Sequence, residues 1–160
     1  MMSVQMFSIT RPIKRRISVR GIIFKDGELF LVRHIDDKGN PRNRLSTPGG
    51  RLEKGEALVE GVHRELVEET GVAPTVGRLL FILQFVNDFG VEVVDFFFHI
   101  ENPEDYTNVD LTKTTHGVRE IAECGFFAPK DATIRPSFLE ELDIAAHLRE
   151  NKPVVIINDL

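Results

Sequence analysis

Cysteine is almost missing from this chain: Cys124 is the only one in 160 residues. One thiol cannot close an internal disulfide or supply a cysteine-based zinc centre, so thiol redox chemistry is not expected and Cys124 reads as a small apolar filler. Long apolar runs are missing too, since nothing approaches the roughly 20 residues of a membrane span. Met1 to Thr10 lacks the basic-then-apolar order of a secretory leader, and a cytoplasmic protein with no membrane partner is expected. Basic residues are not in excess: the formal net charge is −5. Coating nucleic acid by neutralising many phosphates needs the opposite balance, so nucleic acid is not an expected partner. An acidic chain can still bind a small anion if a metal ion or a few placed Arg and Lys supply local positive charge. Arg11, Lys14, Arg15 and Arg16 offer one such stretch, within a basic arm over about residues 1–16; the alternative is that this arm is simply solvated.

What is present fits one globular domain over residues 1–160, with 42% hydrophobic and 28% charged residues. A homodimer is left open. Ile17 to Phe24 and Glu28 to His34 are rich in β-branched and aliphatic residues, and Asp26-Gly27 between them predicts that they pair as a hairpin. A polar loop follows to Arg44, then the breaker Pro48-Gly49-Gly50. Over Glu56 to Thr70, Leu58, Val62 and Leu66 recur every fourth position, which predicts a helix with one buried stripe, closed by Gly71. Leu79 to Asn87 and Val91 to Glu101 predict a second hairpin across Asp88-Phe89-Gly90, and Phe96, Phe97 and Phe98 suit a strand buried on both faces. Asn102 to Gly117 reads as a polar connection and Ile121 to Phe127 as a strand. One amphipathic helix is predicted from Pro136 through Leu148, then a short strand over Val154 to Ile157. Together these elements predict an α/β protein, with a mixed β-sheet covered by helices.

The segment Gly50 to Val72, GRLEKGEALVEGVHRELVEETGV, carries the chemistry. Glu65, Glu68 and Glu69 are spaced i, i+3, i+4, so their carboxylates share one helix face. They also sit in the last turns, where the helix dipole is already negative. Like charges at i, i+4 repel, and acids at this end of a helix cost about 0.3–1 kcal/mol each. Local rules broken together point to function, and a divalent cation would turn the repulsion into coordination. The alternative is a solvated acidic face, partly neutralised through Glu60–Arg64 and Arg64–Glu68 pairs.

The segment resembles the Nudix box of the Nudix (MutT-like) hydrolases at every specified position: Gly50, Glu56, Arg64-Glu65, aliphatic Leu66, Glu68-Glu69, Gly71 and aliphatic Val72. A chance match at one start point has a probability of about 10⁻⁹ from residue abundances, which removes the solvated-face alternative. The resemblance implies an α/β/α sandwich and Mg²⁺-dependent, or Mn²⁺-dependent, hydrolysis of a diphosphate linkage in a nucleoside diphosphate derivative. It implies that Glu65, Glu68 and Glu69 face the metal, with the Gly49 carbonyl as a further ligand and Glu120 as an additional acid nearby. Either Glu65 or Glu68, or a carboxylate outside the box, would be the base. Arg64 would orient the glutamates, Glu56 would hold the loop–helix junction, and Gly50 and Gly71 would serve the backbone. Arg33 and His34, ending a strand on the expected substrate side, are candidate contacts to phosphate or base. The chain lacks, at the family's spacing beyond the box, the proline that marks many ADP-ribose pyrophosphatases and the tyrosine that marks many diadenosine polyphosphate hydrolases: between Val72 and Asn102 the only proline is Pro74, and the one tyrosine, Tyr106, lies further on. A nucleoside or deoxynucleoside triphosphate, cleaved to monophosphate and pyrophosphate, is therefore the expected substrate. Hydrolysis of ADP-ribose or a similar compound, or a non-catalytic module that senses a nucleotide, are the alternatives.

Overall fold

A computed structural model describes residues 14–160; Arg11 lies outside the described residues. The chain runs through β1 (Arg15–Ile22), β2 (Phe24–Lys25), β3 (Glu28–His34), β4 (Leu45–Ser46) and β5 (Gly49–Arg51) into α1 (Leu58–Thr70). Then come β6 (Val76–Val86), β7 (Glu92–Ile100), α2 (Gly117–Glu120), β8 (Ile121–Phe127), β9 (Ile134–Arg135), α3 (Phe138–Glu141), α4 (Ile144–Arg149) and β10 (Val155–Asp159). One sheet has the order β10-β6-β7-β1-β5. Its pairing is mixed: β10 and β6 are parallel, as are β1 and β7, while β6–β7 and β1–β5 are antiparallel. A second sheet runs β2-β3-β4-β9, with β8 also paired to β3.

The helices cover opposite sides of this framework. Val62 and Leu66 of α1 join Val19, Ile23, Phe30, Val32 and Phe98 in one core cluster. Leu139 of α3 and Ile144 of α4 join Ile22, Leu29, Leu31, Phe81 and Phe97 in the other. Strand alternation explains the division: Leu29 and Leu31 of β3 face one cluster while Phe30 and Val32 face the other. On β7, Phe97 likewise looks one way and Phe96 and Phe98 the other, so this strand is covered on both faces as expected. The result is the expected α/β/α layering.

Three local expectations need correction. The Asp26-Gly27 turn forms, with φ of 50° and 87°, but it pairs β3 with the two residues of β2 only. All of β1 instead lies parallel to β7, from Arg15↔Glu92 to Ile22↔His99. The chain changes sheets at Ile22-Ile23, where consecutive, fully buried side chains enter opposite core clusters. The single helix predicted after Pro136 is two, α3 and α4. Asp143 separates them because its carboxylate accepts from the Ala146 N–H at 2.8 Å, a side-chain N-cap that starts a new helix. The connection from Asn102 is not wholly polar in its placement either. It contains 3-10 turns at Pro103–Tyr106 and Leu111–Lys113, and Tyr106 is buried edge-on against Phe30 at 5.3 Å. Among the described residues no helix is long and apolar enough to cross a membrane.

Candidate active site

The turn between β4 and β5 meets the acidic face of α1, and two glycines let it do so. Gly49 has φ 135°, and a Cβ there would collide with the Val19 carbonyl oxygen. A Cβ at Gly50 would stand 2.5–2.7 Å from the Glu65 carboxylate. A larger residue at Gly49 would have to displace the backbone of β1, and one at Gly50 would have to move the Glu65 carboxylate. Helix α1 starts at Leu58, two residues later than predicted, because Glu56 is used elsewhere: its carboxylate accepts from the Glu53 N–H at 2.9 Å. The helix ends as predicted at Gly71, with φ 72° and its N–H donated to the Val67 carbonyl at 2.9 Å.

Glu69 is only 3% exposed and accepts from the Gly49 N–H at 2.9 Å. Burial pushes its carboxyl up to about 8, against the opposing effects of that N–H and of Arg20. Glu65, more open, is also raised, mainly by burial. Glu68 lines the cleft and stands 3.5 Å from His116 Nδ1. Glu120, just before β8, lies across the same cleft, 4.0 Å from that nitrogen. The cleft measures about 700 Å³, and Arg51, Arg64, Glu65, Glu68, His116 and Glu120 are among its walls.

Arg64 ties these acids together. Its Nε and Nη2 donate to the two oxygens of Glu56 at 2.7 and 3.0 Å, and Nη1 donates to Glu65 at 3.0 Å and Glu68 at 3.1 Å. Nη2 also reaches the Arg51 carbonyl at 3.1 Å, which fastens β5 to the helix. The expected Glu60 partner is not used; Glu60 turns back to accept from the Ala57 N–H at 3.1 Å, a helix-start bond. Glu56 is thereby held below its ordinary value, chiefly by the Arg64 hydrogen bond.

The two substrate candidates at the end of β3 part company. Arg33 donates to Glu123 on β8 at 3.0 and 3.1 Å and to the Arg42 carbonyl at 3.0 Å, so its guanidinium is already committed. His34 turns inward, with Nε2 3.8 Å from Glu69 Oε1. Burial, with Arg20 and Arg42 nearby, lowers His34 to about 4, so at neutral pH this contact is not an ion pair. Sequence reasoning missed Arg20 and Asp95. Arg20 Nε donates to Asp95 at 3.0 Å, while Nη1 donates to the Thr47 carbonyl at 3.2 Å and reaches Gly49 O at 3.5 Å. It thus braces the glycine turn from below. The available signal was a charge within each of two apolar strand runs.

Do these residues suit a cation? Among the described residues no three His, Cys, Asp or Glu groups converge as a ready cage, since Glu65 and Glu68 each direct one oxygen at Arg64. The donor chemistry nevertheless fits a hard divalent ion, because the cleft presents the carboxylates of Glu65, Glu68 and Glu120 and its walls include no cysteine. A buried carboxyl raised to about 8 is one that a nearby cation would return to its charged form.

A family model described as a NUDIX domain matches residues 14–148. Over 65 residues the chain is 43% identical to an ADP-ribose pyrophosphatase of Methanocaldococcus jannaschii, covering 40% of this chain and 37% of that protein. Over 61 residues it is 39% identical to an 8-oxo-dGTP diphosphatase of Escherichia coli, covering 38% and 46%. The matched stretch thus spans less than half the length of either relative. A NUDIX hydrolase from Nitrosomonas europaea has a similar fold, with a TM-score of 0.67 at 22% identity over 88% of this chain and 93% of that one. With the motif intact, the glycine turn seated on its glutamates and the family model covering most of its length, the chain belongs to the Nudix hydrolase family.

Proposed function

We propose that the protein hydrolyses a diphosphate linkage in a nucleoside triphosphate or deoxynucleoside triphosphate, releasing monophosphate and pyrophosphate, with Mg²⁺ as its cofactor. The observation that carries this reading is Glu69, buried under the Gly49 N–H on the same helix face as Glu65 and Glu68, which line an open polar cleft. Glu65, Glu68 and Glu69 would hold Mg²⁺ or Mn²⁺, with the Gly49 carbonyl and Glu120 as further ligands. The ion would neutralise phosphate charge and lower the pKa of a bound water.

The chain's own residues do the rest. Glu65 or Glu68 takes the proton from the attacking water; each keeps one oxygen that Arg64 does not occupy. Arg64, held bidentately by Glu56, positions both carboxylates and does not touch substrate. His34, neutral and beside Glu69, can meet the substrate without adding charge, whereas Arg33 would first have to leave Glu123. A second reading, hydrolysis of ADP-ribose, is favoured by the relative named an ADP-ribose pyrophosphatase, 43% identical over 65 residues.

A panel of ribo- and deoxynucleoside triphosphates, ADP-ribose, diadenosine polyphosphates and nucleotide sugars, with and without Mg²⁺, tests both. Full activity in excess EDTA would exclude the metal-dependent reaction. A kcat/KM for any of the other classes more than tenfold above every triphosphate would exclude the triphosphate assignment.

A further inference from the structure

Arg51 lines a second cleft as well as the carboxylate one. Where the start of β1, the end of β5 and the β6–β7 turn meet, a groove of about 450 Å³ is bounded by Lys14, Arg16, Arg51, Asn87, Phe89 and Val91. Arg15 also borders it, but gives its charge to Glu92 at 2.8 Å. Lys14, Arg16 and Arg51 have no carboxylate within ion-pair distance among the described residues, although the chain as a whole is acidic. Arg16 Nε is buried with no hydrogen-bond partner among those residues. Phe89 stands 90% exposed at the groove's edge.

We propose that this groove is a phosphate-chain subsite, in which Lys14, Arg16 and Arg51 hold the terminal phosphate of a nucleoside triphosphate, which a diphosphate lacks, and so favour triphosphates over diphosphates. The inference rests on the hydrolase reading above. A terminal phosphate adds negative charge next to Glu65, Glu68 and Glu120, which would repel it, so cations are needed just outside the carboxylate cleft. Arg64 cannot serve, because its donors are shared among Glu56, Glu65, Glu68 and the Arg51 carbonyl. Arg20 is held against Asp95 beneath the glycine turn. Lys54 borders the carboxylate cleft itself and is the one other unpaired cation on its walls among the described residues. Arg51 sits at the seam of the two clefts, its backbone fixed by Arg64, and its guanidinium and that of Arg16 can each give a phosphate two parallel donors.

The test uses the full chain and inorganic tripolyphosphate, titrated calorimetrically in EDTA at low salt, where metal plays no part. Arg16→Gln/Arg51→Gln should weaken binding about tenfold, as loss of hydrogen bonds to a charged group does. Arg149→Gln, which removes one positive charge from α4, should leave it unchanged. In turnover with Mg²⁺, the double variant should raise KM for a nucleoside triphosphate about tenfold more than for the diphosphate. Equal tripolyphosphate affinity in the double variant and wild type, or a proportionate rise in both KM values, overturns the subsite. A wild type that cleaves no nucleotide overturns the hydrolase reading instead, and the titration still decides whether the groove binds a phosphate chain. If the double variant fails to fold by circular dichroism, exposed Lys14→Gln carries the same comparison.

Discussion

Glu69→Gln should stabilise the metal-free protein at alkaline pH, even though it removes a proposed metal ligand. In the folded chain without metal the carboxyl keeps its proton up to about 8, whereas its ordinary value is 4.5. Between these values the folded state binds more protons than the unfolded one, so stability falls as pH rises from 4.5, and the loss due to Glu69 reaches its full size above about 8. The difference corresponds to a ceiling of about 5 kcal/mol, and relaxation of the site toward water should bring the measured loss to about 3 kcal/mol. Because Glu69 is 97% removed from solvent, surface screening does not reduce this further. Glutamine preserves the shape: its carbonyl can still accept from the Gly49 N–H, and its amide can face neutral His34 Nε2. His34 acts in the other direction but in another window. Lowered from 6.5 to about 4, it makes stability rise with pH below 6.5, so the informative range is pH 7 to 9.

Urea unfolding in EDTA at several pH values over that range gives the answer. Wild type should lose stability toward pH 9, and Glu69→Gln should stay level and exceed it there by about 2–3 kcal/mol. Saturating Mg²⁺ should restore wild type, since an ion bound only by the folded state stabilises it, and should do less for the variant. A wild type whose EDTA stability is flat from pH 7 to 9, or a glutamine variant with the same slope, would show that Glu69 is already ionised and that burial does not govern it.

Other substitutions separate the roles within the site. Glu68→Gln should keep the fold and lose about 10²-fold in kcat, as a change at a metal ligand or base commonly does; near wild-type turnover would remove Glu68 from the mechanism. Gly50→Ala places a methyl against the Glu65 carboxylate and should lower stability by about 1–3 kcal/mol, together with a loss of Mg²⁺ affinity. Unchanged metal affinity in that variant would mean that Glu65 is free to move aside. Arg64→Lys keeps the charge but loses the paired donors to Glu56. It should lower kcat about tenfold with KM little altered, and an effect on KM alone would show that Arg64 binds substrate after all.

The parts of this protein that were legible in its sequence obey short-range rules. Helix α1 follows from the four-residue recurrence of Leu58, Val62 and Leu66, and its end follows from Gly71 taking a left-handed conformation. The Glu65, Glu68 and Glu69 face needed only helix geometry, and the bordering Gly49-Gly50 turn needed only the breaker residues. What escaped depends on partners far along the chain. β1 joins β7 rather than β3, and nothing local distinguishes two apolar strands as partners for a third. Arg64 prefers Glu56 to Glu60 because the loop before α1 folds back over the helix, which spacing along a regular helix cannot show. Arg20 and Asp95 are the instructive case. They are 75 residues apart, yet each is a charge set in an apolar strand, and burying a lone charge is so unfavourable that each implies a counterpart. The rule that singled out the glutamates of α1, that a broken local preference marks a site, applies to them equally. Read with that rule, Arg20 would have been flagged as part of the site from the sequence, while its pairing with Asp95 under the Gly49 carbonyl still required the fold.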